Sequence, residues 1–313
     1  TFTVSSGIKL EPASAAVGST ITLSGCGFAG SKSVIITYAG VEVTTQPTSI
    51  TTSSKGSFSD VTFVVPLSAA GGHVVRATDA SGNDGEAKFT VIPGMNLDPV
   101  EGHVGMQITI SGSGFAASSA ITITYDGSEV ITDPASIATD SYGSFTQSTF
   151  AIPQSIGGEH TVVVADASGN SKSVIFTVET TPPAAPELLL PEQDSRTTNS
   201  TPTLDWSDVT DPSGVSYTLM LAATPDFAET ILLKQGLEES EYTLLEEETL
   251  ERADYYWSVK VIDGASNESP WAATQSFKVG FILPLWALIL CGVAALILIG
   301  GAVYIIIMRR RYG

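Results

Sequence analysis

The fold is decided by the stretch Ile21-Thr22-Leu23-Ser24-Gly25-Cys26-Gly27-Phe28, which returns 87 residues later as Ile108-Thr109-Ile110-Ser111-Gly112-Ser113-Gly114-Phe115. The same offset, without a gap, turns Gly56-Ser57-Phe58 into Gly143-Ser144-Phe145. An offset that holds over this length is the sequence signature of a repeated folding unit. We therefore predict two tandem repeats, over residues 7–93 and 94–180.

Apolar and polar side chains alternate within each repeat. Ile121, Ile123 and Tyr125, for example, alternate with Thr122 and Thr124. A period of two is typical of β-strands with one buried face, and glycine-rich turn signals separate these stretches. Short strands at this spacing in a unit of about 87 residues predict an immunoglobulin-like β-sandwich for each repeat.

Three landmarks recur in the two repeats. Each repeat has an opening Leu-x-Pro tripeptide, a following glycine and a Ser-Gly-x-Gly-Phe turn. In repeat 1 these landmarks begin at Leu10, Gly18 and Ser24, and in repeat 2 they begin at Leu97, Gly105 and Ser111. These residues resemble the IPT/TIG-like and related immunoglobulin-like modules of prokaryotic surface proteins. The resemblance covers residues from about 7 to 179, and it implies a β-sandwich in a surface protein without implying a ligand.

The first residues of the chain continue the repeat pattern backwards. Phe2-Thr3-Val4 matches Phe89-Thr90-Val91 at the same offset. We therefore expect residues 1–6 to form the closing strand of a preceding repeat. We also expect the chain to be the membrane-proximal part of a longer protein.

A third module follows the two repeats. The repeat pattern stops at a stiff, proline-rich linker that begins at Thr181. Residues 181–279 keep the alternation of β-strands with different landmarks, and they resemble a fibronectin type III domain of the prokaryotic kind. The resemblance implies that Trp206 is the core tryptophan and that Tyr255 occupies the tyrosine-corner position.

The C-terminal region predicts a membrane anchor. Residues 280–308 carry no charge, and a predominantly apolar run of this length is enough for a helix to span the hydrocarbon core. Trp286 is expected at one interface, and Arg309, Arg310 and Arg311 are expected on the cytoplasmic side. We predict one C-terminal transmembrane α-helix over residues 280–308, an extracellular N-terminal region and a cytoplasmic tail over residues 309–313.

The chain is strongly acidic, with a formal net charge of −19. Phosphate binding needs clustered basic residues, so this balance excludes a general nucleic-acid binder. The acidic excess peaks in the third module, at Glu238, Glu239, Glu241, Glu246, Glu247, Glu248 and Glu251. A solvated loop or short helical turn would account for this cluster, as would weak divalent-cation binding or repulsion from a neighbouring acidic surface.

An Asp-x-x-x-Asn sequence recurs near the end of a late strand in all three modules. The pairs are Asp79 with Asn83, Asp166 with Asn170 and Asp263 with Asn267. Asp and Asn side chains bond the backbone in turns, which favours a hairpin-turn interpretation. Calcium is the alternative, because Ca²⁺ binds carboxylate and amide oxygens, although two ligands per turn would need help from an adjacent module. We expect no other cofactor.

Other chemistry-bearing residues are scarce. His73 and His160 occupy one position of the two repeats, and this recurrence favours a structural role over metal ligation. Cys26 is expected to be a buried residue without a disulfide partner. No catalytic pair, triad or phosphate-binding loop can be named from residue spacing, so we expect the chain not to be an enzyme.

Three functional hypotheses follow from the sequence. The leading one is a non-enzymatic, membrane-anchored cell-surface stalk, either adhesive or part of a surface-layer-type cell envelope. Its partners would be the membrane, through a single span, and other surface proteins or copies of itself. The second is a surface receptor whose loops bind a carbohydrate or a protein. The third is the membrane anchor of an enzyme whose catalytic domain lies upstream. Sandwich modules host all three functions.

Overall fold

The structure, a computed structural model, describes residues 5–280, 297, 299–303, 305–307 and 310. Up to residue 280 the described chain is all-β, apart from one short 3-10 turn. It divides into two compact units, Thr1–Thr180 and Thr181–Gly313. The first unit contains both 87-residue repeats, and the second contains the third module.

Both repeats have the same order of strands. The strands described in repeat 1 are β1 (Gly7–Glu11), β2 (Ser14–Ala15), β3 (Thr20–Cys26), β4 (Ser33–Tyr38), β5 (Val41–Glu42), β6 (Thr45–Gln46), β7 (Ile50–Thr51), β8 (Phe58–Val64), β9 (Gly71–Asp79) and β10 (Asp84–Val91). Those of repeat 2 are β11 (Gly94–Asp98), β12 (Glu101–Gly102), β13 (Gln107–Ser113), β14 (Ala120–Tyr125), β15 (Ser128–Glu129), β16 (Thr132–Asp133), β17 (Ile137–Ala138), β18 (Phe145–Ala151), β19 (Gly158–Asp166) and β20 (Ser171–Val178).

Each repeat forms two sheets. In repeat 1 the smaller sheet has the order β1-β3-β8-β6, and the larger has the order β2-β10-β9-β4-β5 with β7 paired to β4. In repeat 2 the corresponding orders are β11-β13-β18-β16 and β12-β20-β19-β14-β15, with β17 on β14. The short β2 and β12 pair in parallel with β10 and β20. The predicted immunoglobulin-like sandwich is confirmed in both repeats.

The alternation of side chains that predicts the strands also fills the core. In β3, Ile21 and Leu23 are fully buried, and they belong to the same apolar cluster as Phe63 of β8 and Phe89 of β10. Burying an aromatic or branched aliphatic side chain contributes about 1.5–3 kcal/mol relative to leaving it exposed. The equivalent positions of repeat 2 are filled by Ile108, Ile110, Phe150 and Phe176, which are also buried.

The first glycine of the Ser-Gly-x-Gly-Phe turn makes room for an aromatic ring. A Cβ atom on Gly25 would lie 2.5 Å from the ring of Phe58, and one on Gly112 would lie 2.5 Å from the ring of Phe145. The next residue points to the opposite face of β3, and Cys26 is therefore exposed. The prediction that Cys26 is buried is wrong, because this residue shares the outward face of the strand with the threonines.

The third module is a sandwich with fewer described strands than either repeat. Its described elements are β21 (Leu188–Leu190), β22 (Ser195–Thr197), β23 (Thr203–Trp206), β24 (Val215–Ala222), β25 (Thr230–Leu237), β26 (Glu241–Thr243), a 3-10 turn (Glu246–Glu248), β27 (Asp254–Asp263) and β28 (Gln275–Val279). One sheet has the order β21-β23-β26 and the other has the order β22-β28-β27-β24-β25.

Two aromatic features organise this module. Trp206 and Trp257 are fully buried, with ring centroids 6.4 Å apart. The hydroxyl of Tyr255 donates a hydrogen bond to the backbone carbonyl of Glu251, at 2.9 Å. A tyrosine hydroxyl that bonds the backbone a few residues upstream is the tyrosine corner of such sandwiches. The roles that the resemblance implies for Trp206 and Tyr255 are therefore confirmed.

The predicted transmembrane helix over residues 280–308 falls largely outside the described residues. The described positions beyond 280 are helical. Within the part of the chain that the structure describes, no helix has the length and apolar character that crossing a membrane requires. Other predicted features also lie outside the described residues, namely residues 1–4 of the closing strand, Trp286, Arg309 and Arg311.

Candidate functional site

The three Asp-x-x-x-Asn sequences lie in the hairpin turns that follow β9, β19 and β27. In repeat 1, Oδ1 of Asp79 accepts hydrogen bonds from the backbone N–H groups of Ser81 (2.8 Å) and Asn83 (3.0 Å). Its Oδ2 accepts from Nδ2 of Asn83 and from the backbone N–H of Ala29, both at 2.8 Å. Each carboxylate oxygen of Asp79 therefore has two protein donors.

Repeat 2 reproduces this arrangement. Oδ1 of Asp166 accepts from the backbone N–H groups of Ser168 (2.9 Å) and Asn170 (3.0 Å). Its Oδ2 accepts from Nδ2 of Asn170 (2.8 Å) and from the backbone N–H of Ala116 (2.7 Å). Because Ala116 directly follows the Ser-Gly-x-Gly-Phe turn of β13, the carboxylate joins the two sheets of the sandwich.

These hydrogen bonds stabilise the ionised carboxylates. The side-chain bond from Asn83 lowers the pKa of Asp79 to about 2; burial opposes this shift and the backbone bonds reinforce it. Burial alone would raise the pKa of Asp166, but the bonds from Ala116 and Asn170 outweigh it and leave the pKa lowered. Hydrogen bonds to a charged form favour that form. Both turns therefore carry a negative charge that the protein itself solvates.

The turn of the third module is built in the same way. Oδ1 and Oδ2 of the buried Asp263 accept from the backbone N–H (2.8 Å) and from Nδ2 (2.9 Å) of Asn267. The observed contacts are those of the hairpin-turn interpretation. Calcium binding at these turns stays a prediction, and an ion at Asp79 or Asp166 would have to displace backbone and amide donors.

The two equivalent histidines stack on equivalent tyrosines. His73 lies 5.1 Å from the ring of Tyr38, and His160 lies 5.0 Å from the ring of Tyr125, both nearly parallel. The Nε2 atom of each histidine donates to a carbonyl oxygen four residues upstream, at 2.8 Å and 2.7 Å. The two imidazoles therefore make equivalent contacts in the two repeats. These contacts are those of the structural role that the recurrence of the histidines favours.

The two repeats meet at a joint within the first unit. The backbone N–H of Ala70, which precedes β9, donates to the carbonyl of Phe115 in repeat 2, at 2.8 Å. The backbone of Ile92 passes close to Gly114, where an added Cβ would lie 2.8 Å from the Ile92 carbonyl oxygen. Gly114 also has a φ of +71°, a conformation that glycine adopts without strain. Side-chain space and backbone geometry both require glycine at this joint.

A groove of about 940 Å³ opens on repeat 1 beside the joint. Much of its lining is aliphatic, from β5, β8 and the loop after β8, and Tyr142 of repeat 2 stands at its edge. Leu67 and Val41 in this lining are 61% and 70% exposed, and Tyr142 is 54% exposed. The groove therefore combines an apolar surface with open access.

The acidic cluster of the third module is mostly a solvated surface. Glu246–Glu248 form the 3-10 turn, and the other glutamates of the cluster are exposed. Glu248 differs, because it forms an ion pair with Lys234 at 2.6 Å and accepts a hydrogen bond from the Tyr242 hydroxyl at 2.8 Å. The hydrogen bond that Lys234 donates to Glu248 raises the pKa of Lys234. The described contacts match the predicted helical turn.

No model of a known protein family matches the chain, and no curated protein matches it. Several solved tandem β-sandwich structures are similar to it. A tetra-tandem repeat from the extending region of a large adhesion protein is 18% identical, with a TM-score of 0.32, over 88% of this chain and 74% of that one. The Yersinia pseudotuberculosis adhesin InvE is 15% identical, with a TM-score of 0.29, over 65% and 68%. Domains FN1–FN3 of chicken CNTN1 are 13% identical, with a TM-score of 0.28, over 88% and 98%. At TM-scores this low, the fold assignment rests on the strand pairing described above.

Proposed function

We propose that the chain is a non-enzymatic, membrane-anchored cell-surface protein whose modules form a structural or adhesive stalk. The observation that carries the proposal is the joint between the repeats. Its direct backbone hydrogen bond, from Ala70 to Phe115, and its close backbone approach at Gly114 restrict the angle between the two sandwiches. A stalk needs a joint that restricts the angle between its domains. Independent domains on a flexible linker need no such joint.

The membrane part of the proposal is supported by the sequence. Residues 285–307 are almost wholly apolar, with Trp286 near one end and three arginines beyond the other. These are the length, the interfacial aromatic residue and the cytoplasmic basic residues of a single-pass anchor. With this orientation the three modules would lie outside the cell, and their partners would be other surface proteins, a surface-layer-type lattice or copies of the chain.

Distance measurements between spin labels test the stalk. Thr22→Cys and Thr109→Cys place labels at exposed, equivalent positions of the two repeats, in a chain whose two native cysteines are replaced by serine. We expect one narrow distance distribution. Gly114→Val should broaden it, because the added side chain collides with the Ile92 backbone. A distribution as broad in the parent chain as in this variant would contradict the proposal.

Protease accessibility tests the orientation. Protease added to intact cells that express the chain should remove the three modules and leave a small membrane fragment containing Arg309, Arg310 and Arg311. Cells permeabilised before digestion provide the control for protease competence. Survival of peptides that contain Trp206 or Trp271 in sealed cells would refute the extracellular orientation.

One observation favours a second candidate function, that of a surface receptor. The groove on repeat 1 is open and largely apolar, and exposed apolar surface of this kind marks interaction sites. A receptor function would coexist with the stalk, because the groove lies beside the joint and is not part of its backbone contacts.

A further inference from the structure

The repeats differ at one position beside the stacked histidine. In repeat 2, Asp126 follows β14, and its Oδ2 accepts a hydrogen bond from Nδ1 of His160 at 2.7 Å. Its Oδ1 accepts one from the backbone N–H of Thr161 at 2.8 Å. Two donors on β19 therefore converge on one carboxylate. In repeat 1 the equivalent residue is Ala39, which has no oxygen on its side chain.

The rest of this arrangement is retained in repeat 1. His73 keeps the tyrosine stack and the Nε2 bond to a carbonyl, here that of Ala69 at 2.8 Å. The backbone N–H of Ala39 donates to the Val74 carbonyl at 2.9 Å, as that of Asp126 donates to Thr161 at 2.9 Å. Val74 N–H therefore occupies the position of Thr161 N–H. Among the described residues, Nδ1 of His73 has no hydrogen-bond partner.

The position that lacks the carboxylate is open to solvent. Ala39 and His73 both line the groove of about 940 Å³ on repeat 1. A ligand in this groove can therefore reach Nδ1 of His73, and the backbone N–H of Val74 follows directly along β9. The contacts of Asp126 in repeat 2 show how a carboxylate fits between the two equivalent donors.

We propose that the groove of repeat 1 binds a carboxylate-bearing peptide segment at Nδ1 of His73 and the backbone N–H of Val74. The carboxylate takes the place that Asp126 fills in repeat 2. An apolar side chain next to that carboxylate packs on the groove, whose aliphatic lining comes from Val41, Val43, Val65, Pro66 and Leu67. This lining favours an acidic–apolar peptide over an acidic sugar, because sugar rings present hydroxyl groups that aliphatic side chains cannot hydrogen-bond.

Binding at this site takes up a proton. Nε2 of His73 donates to a carbonyl, so the imidazole donates to a carboxylate only when Nδ1 is also protonated. The affinity for a carboxylate therefore rises as the pH falls. The other ionisable groups that face the groove or the histidine are Glu42 and Tyr142 at its edge, Tyr38 beneath the ring and Lys88 against the adjacent Gly72. Of these, Glu42 repels an acidic ligand and Lys88 attracts it.

Calorimetric titration of the full chain tests the proposal. The probe is the peptide acetyl-Asp-Leu-Val-amide, and its Asn counterpart and glucuronate are compared with it. We expect one site, at least about tenfold tighter for the Asp peptide than for the Asn peptide, as a lost hydrogen bond to a charged group predicts. Binding should be tighter at about pH 5.5 than at about pH 7.5. Equal binding of the Asp and Asn peptides, tighter binding of glucuronate, or no binding at either pH would overturn the proposal.

Three variants locate the site. Ala39→Asp supplies the carboxylate internally, as in repeat 2, and should abolish binding while the melting temperature stays the same or rises. His73→Phe keeps the stacked ring without its donor and should weaken binding at least about tenfold. His160→Phe is the matched control, and it should leave binding unchanged. Undiminished binding by Ala39→Asp, or equal loss in the two histidine variants, would refute a site at His73.

Discussion

The turn at Asp166 offers a direct test of what holds the two sheets of a repeat together. Replacing Asp166 by Ala removes the acceptor of four hydrogen bonds, from Ala116, Ser168 and the backbone and side chain of Asn170. The donors at Ser168 and Asn170 lie in a surface turn, where water replaces the lost acceptor. Ala116 is half-buried at the end of the other sheet, where water replaces the lost acceptor less well. The loss should therefore fall mainly on the connection between β13 and β19.

The magnitude follows from these contacts. A hydrogen bond to a charged group contributes about 1.5–3 kcal/mol, and we count the bond from Ala116 in full. The turn donors add about 1 kcal/mol together, because they regain water. The expected loss for Asp166→Ala is about 3 kcal/mol. For a folded unit of the size of the first one, this corresponds to a decrease in melting temperature of roughly 6–12 °C.

The pH dependence supplies an independent check. The hydrogen bonds lower the folded-state pKa of Asp166, so its contribution is fully present above the unfolded-state pKa of about 3.9. The contribution is lost as the pH falls through the lowered folded-state value. The stability difference between the parent chain and Asp166→Ala should therefore be largest near neutral pH and should shrink below about pH 4.

Urea unfolding at several pH values, with calorimetry, measures this difference. Asp140→Ser is the matched control, because Asp140 also accepts two backbone bonds in an exposed turn and repeat 1 has Ser53 in its place. This control should cost less than about 1 kcal/mol. If Asp166→Ala costs no more than Asp140→Ser at neutral pH, or if its deficit persists unchanged in acid, the reasoning is wrong.

Three further predictions follow from described contacts. Asp126→Ala should cost about 1 kcal/mol near neutral pH, since its carboxylate is half exposed. Because the bond from His160 lowers the Asp126 pKa, the deficit should disappear below about pH 4 as the carboxylate is protonated, and a deficit that persists there would contradict this origin. Gly114→Val should destabilise the first unit by at least about 2 kcal/mol more than Gly127→Val. Both glycines have a positive φ, but no atom lies within 4 Å of an added Cβ at Gly127. Equal losses of stability in calorimetry would exclude the joint as the cause. Reductant should leave the melting temperature of residues 5–280 unchanged, since Cys26 is free, and a decrease would reveal a disulfide between two copies of this segment.

Local patterns were sufficient to predict the strands. Ile121 and Ile123 alternate with threonines because one face of β14 is buried, and this pattern needs no knowledge of distant partners. The roles of Trp206 and Tyr255 could be predicted because the third module resembles a fibronectin type III domain, and that resemblance implies both roles. The exposure of Cys26 follows from the same kind of local pattern. The alternation of Ile21 and Leu23 already placed it on the outer face.

Contacts between distant residues could not be predicted in the same way. The hydrogen bond from Ala29 to Asp79 joins residues separated by 50 positions. Only the packing of the two sheets against each other brings these residues together. Likewise, the change from Asp126 to Ala39 is visible when the repeats are aligned. The consequence of this change depends on the position of His160 on the neighbouring strand. That position is known only from the register between β14 and β19.

The close approach at Gly114 has an equivalent at the other end of repeat 1. There a Cβ on Gly27 would lie 2.6 Å from the carbonyl oxygen of Ser5. Since Gly27 and Gly114 are the same glycine of the repeat, recombination between the two coding segments would add or delete one whole 87-residue unit and still leave a glycine at each of these close approaches. The length of such a protein can therefore change by unequal crossing-over between generations, without any new substitution at the contacts between modules.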